Sequence, residues 1–278
     1  MNSGSKTVHL IPKNCSSYFA QNFYVDRATS TLVPNVVCIN EAGDILFETN
    51  SLGLRGAEPK AGQNLAVVWG DSVVFSLFRP GLAGWPEQIN DESIDCLFLN
   101  GGVEGRFYPH TILRALEFNR KHTVALNLLT LGWMPADNRP VHDDLLDTLA
   151  ELPNPVLITQ PTSLNPKIAA KDLEAYINLA MGDAHFGFFG SEPYSVEHQV
   201  AFFQHISERN AIIRWVAAQT QTPLIDLYAF LDTSSLEDFR RDFFDISHLR
   251  AQAYPRVASF VRESVRPLLV ARKGTDGT

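Results

Sequence analysis

The chain has 278 residues, a formal net charge of −8 at pH 7 and 45% hydrophobic residues. This length suits one large α/β domain, or such a domain with an N-terminal extension. The negative charge argues against a nucleic-acid partner, since nucleic-acid-binding proteins usually carry a basic stripe. The three cysteines are odd in number and far apart, so they indicate neither a disulfide framework nor a metal site, and we expect no metal and no other cofactor.

The N-terminal region, residues 1–62, is predicted to be an extension that contains a β-hairpin. Its two strands, Val36–Ile39 and Ile45–Phe47, flank a turn that contains glycine. Residues 1–6 lack the apolar core of a signal peptide, so we expect a cytoplasmic chain. We also expect no membrane span, because no apolar stretch approaches the roughly 18 residues that a transmembrane helix needs.

In the main domain, predicted over residues 63–272 and followed by a disordered tail over 273–278, short apolar runs alternate with amphipathic segments. The apolar runs predict five strands, buried on both faces of a parallel sheet. These strands are Leu65–Trp69, Cys96–Leu99, Val124–Leu131, Val156–Thr159 and Leu224–Leu227. Helical spacing predicts three helices, over Pro109–Arg120, Ser195–Gln219 and Gln252–Leu269. This alternation predicts a doubly wound α/β/α sandwich that binds ligands at the carboxyl ends of its strands.

A serine follows the first predicted strand of this sheet. Ser72 lies two residues past Gly70, at the turn into the next helix, where its hydroxyl can point into the cleft. The partial positive charge of a helix N-terminus favours an anion near the N–H of Ser72. The alternative is that Asp71 or Ser72 only caps the helix, since both residue types are favoured N-caps.

An aspartate and a histidine precede the last predicted helix. Asp245 lies three residues before His248, so the two can share a turn in which the carboxylate orients the imidazole. A histidine held in this way can act as general base toward a serine. The alternative is an ordinary helix start, with Asp245 or Ser247 as cap and His248 on the surface.

Three glycines follow the second predicted strand, in the segment Asn100–Gly105. Glycines let the backbone approach a substrate closely, and the N–H of Gly105 can stabilise an oxyanion. The alternative is a flexible loop without a chemical role. Nucleotide-phosphate binding is not indicated, because the segment has neither the Gly-x-Gly-x-x-Gly pattern nor the lysine ending of a P-loop.

Three motifs in chain order resemble the SGNH (GDSL-type) hydrolase superfamily over about residues 65–269. They are Gly70-Asp71-Ser72, Gly105 and Asp245-x-x-His248. Family members place the glycine of the second motif five residues after an asparagine such as Asn100. The segment Asn50–Gly56 is similar to one that precedes the nucleophile strand in a bacterial branch of the family. The resemblance implies a three-layer, flavodoxin-like sandwich with a five-stranded parallel sheet, to which the N-terminal hairpin is an addition.

The resemblance also implies an activity, the hydrolysis of an ester through an acyl-enzyme and without a metal. Ser72 is then the nucleophile, His248 the general base and Asp245 the carboxylate that holds the imidazole. The N–H groups of Ser72 and Gly105 bind the oxyanion. The implied substrate is a small-molecule or glycan ester with a short acyl group, such as acetyl.

One block of the sequence departs from the family pattern. The family reads Gly-x-Asn-Asp after the third strand, and its asparagine side chain donates a hydrogen bond to the oxyanion. Here Met134 falls where the asparagine is expected. Asn138 is the replacement that we favour, and Asn127, near the middle of the strand, is a poorer one. Loss of one oxyanion donor typically lowers the rate by about 100- to 1,000-fold.

Two alternatives stay open on the sequence alone. An O-acyltransferase uses the same serine and passes the acyl group to a sugar or another alcohol. A catalytically impaired binding protein on the same fold accounts for the missing asparagine, although the ordered Ser72, Asp245 and His248 oppose it. The sequence does not indicate an oligomeric state.

Overall fold

The computed structural model describes residues 6–10, 31–76, 83–103, 108–131, 141–163, 196–231, 235–243 and 247–273. Four positions singled out above lie outside these ranges, namely Gly105, Met134, Asn138 and Asp245. Of the expected tail over 273–278, all residues but Lys273 lie outside them too. The boundaries drawn above between extension, main domain and tail therefore stay predictions.

The N-terminal region contributes a sheet of three strands in the order β1-β2-β3. These strands are β1 at Thr7–Leu10, β2 at Val36–Ile39 and β3 at Ile45–Glu48. β2 and β3 are antiparallel, which confirms the predicted hairpin, and β1 lies parallel to β2. The side chain of Asn40 closes the hairpin turn, because its Oδ1 accepts hydrogen bonds from the N–H groups of Ala42 and Asp44.

The larger sheet has five parallel strands in the order β5-β4-β6-β7-β8. Their bounds are Leu65–Gly70 (β4), Leu97–Gly102 (β5), Leu126–Thr130 (β6), Pro155–Ile158 (β7) and Leu224–Ile225 (β8). Every residue of β4, β5 and β6 is buried, as expected of strands that are covered on both faces. The five apolar runs therefore predict the sheet correctly, although β8 is shorter than its run.

Seven α-helices lie within the described ranges. They are α1 (Ser72–Phe75), α2 (Tyr108–Asn119), α3 (Val141–Glu151), α4 (Val196–Thr220), α5 (Leu227–Phe230), α6 (Leu236–Asp242) and α7 (Tyr254–Lys273). The sequence analysis predicts α2, α4 and α7 but not α3, although Leu145 and Leu149 are buried and have helical spacing. None of these described helices is both long enough and apolar enough to span a lipid bilayer.

The helices cover the two faces of the larger sheet and so form three layers. On one face, Val257, Val261 and Val265 of α7 pack in one cluster with strand residues such as Val68 and Ile158. On the opposite face, buried residues of α2, α3 and α4 pack with Val67, Trp69 and Leu157. This arrangement confirms the predicted doubly wound sandwich.

The strand order also tells where a ligand site is expected. β4 lies between β5 and β6, so the chain leaves β4 toward one side of the sheet and later returns to the other side. In open parallel sheets, ligands bind at the carboxyl ends of the strands next to such a reversal. Ser72 directly follows the carboxyl end of β4 and therefore lies at this place.

Candidate active site

A serine hydroxyl and an imidazole meet at the carboxyl edge of the sheet. Oγ of Ser72 lies 2.8 Å from Nε2 of His248, although 176 positions of sequence separate the two residues. Both side chains are nearly enclosed, since Ser72 is 8% exposed and His248 is 4% exposed. This distance is typical of a nucleophile and the base that activates it.

The local structure at Ser72 separates the capping role from the chemical one. Asp71 is the N-cap of α1, and its carboxylate accepts a hydrogen bond of 3.0 Å from the N–H of Val73. Ser72 is the first residue of the helix, and its hydroxyl bonds to His248 instead of capping. The capping alternative therefore applies to Asp71 and not to Ser72.

Two glycines let α1 pack closely against the sheet. A Cβ on Gly70 would lie 2.3 Å from Cγ2 of Val74 in α1 and 2.2 Å from Oγ1 of Thr130 in β6, and a Cβ on Gly102 would lie 2.4 Å from the backbone N of Phe75. Any larger residue at these positions would push the turn that carries Ser72 away from β5 and β6. The sequence analysis places Asn100–Gly105 in a loop, but Asn100–Gly102 belong to β5. At Gly102 the missing Cβ thus makes room for α1.

The chain around His248 is anchored on both sides. Phe243 and Leu249 form an antiparallel bridge, and the N–H of Arg250 donates to the carbonyl of Asp242. The buried Asp242 carboxylate also pairs with Arg241 and Arg256. Sequence reasoning misses Asp242, because nothing in its local pattern separates it from other helix-terminal aspartates. Asp245 lies between these anchors in sequence, and its contact with the imidazole stays a prediction.

Of the two asparagines considered as third oxyanion donor, the structure describes only Asn127. Its Oδ1 accepts a hydrogen bond of 2.9 Å from the indole N–H of Trp69. Its Nδ2 donates to Asn119 and to the carbonyl of Pro153. Asn127 pairs with Val67 near the start of β6, away from the carboxyl edge. These contacts exclude Asn127 as an oxyanion donor.

The carboxylate of Asp226 has a structural role at the carboxyl edge of the sheet. Asp226 follows β8, pairs with Arg214 at 2.8 Å and accepts a hydrogen bond of 2.9 Å from Thr159. It also caps α5 by accepting from the N–H of Ala229. Burial alone would raise the pKa of Asp226, but the hydrogen bonds from Arg214, Thr159 and Ala229 outweigh it and hold this pKa below its usual range. Asp226 therefore links the ends of β7 and β8 to α4.

A buried amide is the least expected feature of this edge. Gln160 follows β7 and is fully buried, yet neither its Oε1 nor its Nε2 has a hydrogen-bond partner among the described residues. Its backbone N–H and carbonyl are both satisfied by the side chain of Asn210 on α4, at 2.8 and 2.9 Å. Within the described part of the chain, the side-chain amide is therefore the part of Gln160 that has no partner, and the sequence carries no signal for this.

We expect Gln160→Met to stabilise the protein. A buried polar group without a partner costs about 1–3 kcal/mol, and methionine fills a similar volume without polar atoms. In a protein of this size, each kcal/mol shifts the thermal midpoint by about 2–4 °C. The measurement is the unfolding midpoint of both proteins by circular dichroism. Asn210→Leu is the matched control and should lower the midpoint, because it leaves the backbone groups of Gln160 unpaired. A lower midpoint for Gln160→Met would contradict this prediction.

The described part of the chain holds no group of three or more His, Cys, Asp or Glu side chains that could bind a metal ion. At the described site, a hydroxyl and an imidazole lie in contact. An activated serine and its base are the groups that acyl transfer uses.

Comparison with solved structures finds similar proteins that are described as lipases, acylhydrolases or lipolytic proteins. A lipase/acylhydrolase from Enterococcus faecalis matches with a TM-score of 0.53 and 13% identity, over 73% of this chain and 96% of that protein. A lipolytic protein of the G-D-S-L family from Veillonella parvula matches with a TM-score of 0.47 and 15% identity, over 72% and 95% of the two chains. A GDSL-like lipase from Bacteroides thetaiotaomicron matches with a TM-score of 0.46 and 14% identity, over 76% and 92%.

Identities this low establish the fold alone, and we base the fold assignment on the first of these matches. No protein-family profile matches the sequence, and neither does any curated protein. Residue roles in this chain therefore have to be argued from its own geometry.

Proposed function

Because the chain has the fold of the SGNH (GDSL-type) hydrolases, as its motifs predict, we propose that it is a serine ester hydrolase that acts through an acyl-enzyme. The observation that carries this proposal is the 2.8 Å contact between Oγ of Ser72 and Nε2 of His248. A hydroxyl alone is a weak nucleophile, and a neighbouring imidazole activates it by taking its proton.

In the first half of the reaction, Oγ of Ser72 attacks the ester carbonyl carbon while Nε2 of His248 takes the hydroxyl proton. The carbonyl oxygen becomes an oxyanion, which the N–H groups of Ser72 and Gly105 bind. The carbon–oxygen bond to the alcohol then breaks, and His248 gives its proton to the departing alcohol. The acyl group stays on Ser72 as an ester.

In the second half, water attacks the acyl-enzyme and His248 takes its proton. The tetrahedral intermediate collapses, the acid leaves, and the proton returns to Oγ of Ser72. Asp245 holds the imidazole in the required tautomer and stabilises its charged form in both halves. Only three positions of sequence separate Asp245 from His248, which supports this proposed role.

The oxyanion site is proposed to combine backbone and side-chain donors. β5 lies beside β4, so the chain that continues from Gly102 to Gly105 starts next to Ser72. Asn138 is proposed as the third donor, in place of the family asparagine whose position Met134 occupies. The amide of Asn127 already donates to Asn119 and to the carbonyl of Pro153, so Asn127 cannot be this donor, which supports the choice of Asn138.

We place the substrate among short-chain esters, with acetyl esters of carbohydrates as the first class to test. The sequence offers no long apolar lid of the kind that lipases use. The near-complete burial of Ser72 and His248 also favours a small acyl group over a long chain.

The proposal is tested by covalent labelling of the native protein with a fluorophosphonate probe. We expect one adduct, which peptide mass spectrometry locates on Ser72, and protection from labelling by a short-chain ester. Absence of labelling in protein shown to be folded would contradict the hydrolase and favour a binding protein. Product analysis with added glycerol separates the transferase, because glycerol ester would then accumulate faster than free acid.

A further inference from the structure

The helix that carries Ser72 is too short to be stable by itself. α1 contains four residues, about one turn, and helix formation becomes favourable only over several turns. Its carbonyl groups are held by side chains from elsewhere in the chain. Trp85 donates to the carbonyl of Val73 at 3.1 Å, Asn100 donates to Val74 at 2.9 Å, and Arg55 donates to Phe75. The position of Ser72 therefore depends on these outside contacts.

Arg55 is the contact that comes from the N-terminal region. Its main chain forms an antiparallel bridge with Asn100 of β5, through hydrogen bonds of 3.0 and 2.9 Å. Its side chain is buried, with the guanidinium carbon 4.7 Å from the ring centre of Phe75. One guanidinium nitrogen donates to the Phe75 carbonyl, and the other pairs with Glu87 at 3.2 Å. Arg55 thus links β5 to the end of α1.

The same network reaches the segment that leads to the proposed oxyanion donor. Glu87 accepts a hydrogen bond of 3.1 Å from Nδ2 of Asn100. Oδ1 of Asn100 accepts one of 2.9 Å from the N–H of Gly102, the last residue of β5. Gly105 follows three residues later. One buried network therefore fixes both the end of the nucleophile helix and the start of the oxyanion segment.

Stability alone does not account for a buried ion pair of this kind. Apolar side chains of similar volume often replace such a pair without loss of stability, because taking both charges out of water is costly. A planar guanidinium instead offers donors in a fixed fork, which holds two acceptors in a set relative position. In this chain the two acceptors are the carbonyl of Phe75 and the carboxylate of Glu87.

We propose that Arg55 is a positioning residue for Ser72, and this inference rests on the proposed ester hydrolase function. Arg55 acts through the Phe75 carbonyl and α1, and it does not touch the reacting atoms. A misplacement of about 1 Å between reacting groups can lower the rate by about 100-fold. Release of the end of α1 shifts Oγ of Ser72 relative to the imidazole and to the oxyanion donors. The N-terminal region thereby becomes part of the catalytic unit.

The experiment compares Arg55→Met and Arg55→Lys with Arg262→Met. Arg262 makes the same kinds of contact without touching α1, since it donates to the carbonyls of Ile89 and Gln88 and pairs with Asp91 at 3.2 Å. Arg262→Met thus controls for the loss of a guanidinium that joins backbone carbonyls to a carboxylate. Each protein is assayed with p-nitrophenyl acetate at a temperature where circular dichroism shows it folded.

For both Arg55 variants we expect kcat to fall by about 10- to 100-fold while KM changes by less than about threefold. The rate of fluorophosphonate labelling at Ser72 should fall in parallel, and Arg262→Met should keep both rates. If Arg55→Met fails to fold, Arg55→Lys and Glu87→Gln carry the test, since each keeps a polar side chain in the network. Wild-type rates in these variants, with only a lower melting temperature, would overturn the proposal. A wild type that neither hydrolyses nor labels would instead contradict the hydrolase function itself.

Discussion

Ser72→Ala is expected to lower kcat/KM for p-nitrophenyl acetate by about 10³- to 10⁶-fold. The variant removes the atom that is proposed to form the acyl-enzyme, and the remaining rate would come from oxyanion donors and substrate binding. The fold should tolerate the change, because the 2.8 Å bond to His248 contributes only about 1 kcal/mol to stability. The measurements are the steady-state rate and the melting temperature of both proteins.

A second serine provides the control for this experiment. Ser264 lies on α7 and donates to the carbonyl of Phe260 within its own helix. Ser264→Ala should hydrolyse the ester at the wild-type rate. Equal rates for wild type and Ser72→Ala would remove Ser72 from the mechanism, whatever the fold.

His248→Ala is expected to cause a loss of the same order, about 10³- to 10⁶-fold in kcat. In the described structure, the Ser72 hydroxyl has one hydrogen bond, to Nε2 of His248. No other described group therefore lies close enough to take its proton. Groups that act as one unit are not additive in their effects. The double variant Ser72→Ala/His248→Ala should therefore be no slower than the slower single variant. The measurement is kcat for the three variants under the same conditions.

His122→Gln is the matched control, because His122 lies between α2 and β6 at the opposite end of the sheet. It should leave kcat unchanged. A His248→Ala variant that keeps wild-type activity, or a double variant much slower than both singles, would show that serine and histidine do not act together.

Much of the fold can be predicted from local patterns. The apolar runs predict the five strands of the larger sheet, because burial on both faces demands an unbroken apolar stretch. The hairpin at Asn40 is likewise visible, since its turn residues act over four positions. β1, α3, α5 and α6 are not predicted. β1 is a four-residue edge strand that exists only through its pairing with β2.

The candidate site is predicted in part. Ser72 and His248 can be named from the sequence, because each follows or precedes an element whose edge the strand pattern determines. The packing role of Gly102 could not be foreseen, since it depends on the approach of the Phe75 backbone. The same holds for Arg55 and Gln160, whose surroundings come from strands and helices distant in sequence.

The class of fold, and the edge of the sheet where the chemistry is expected, can be predicted from the sequence, since strand periodicity and the residues after each strand are local properties. Three features are visible only once the chain is folded: the distance between the Ser72 hydroxyl and the ring of His248, the hydrogen bond from Trp69 to Asn127, and the contacts that hold α1 from outside. Those outcomes depend on contacts between residues far apart in the chain. Such contacts form only when the layers of the sandwich pack together, and no local pattern encodes them.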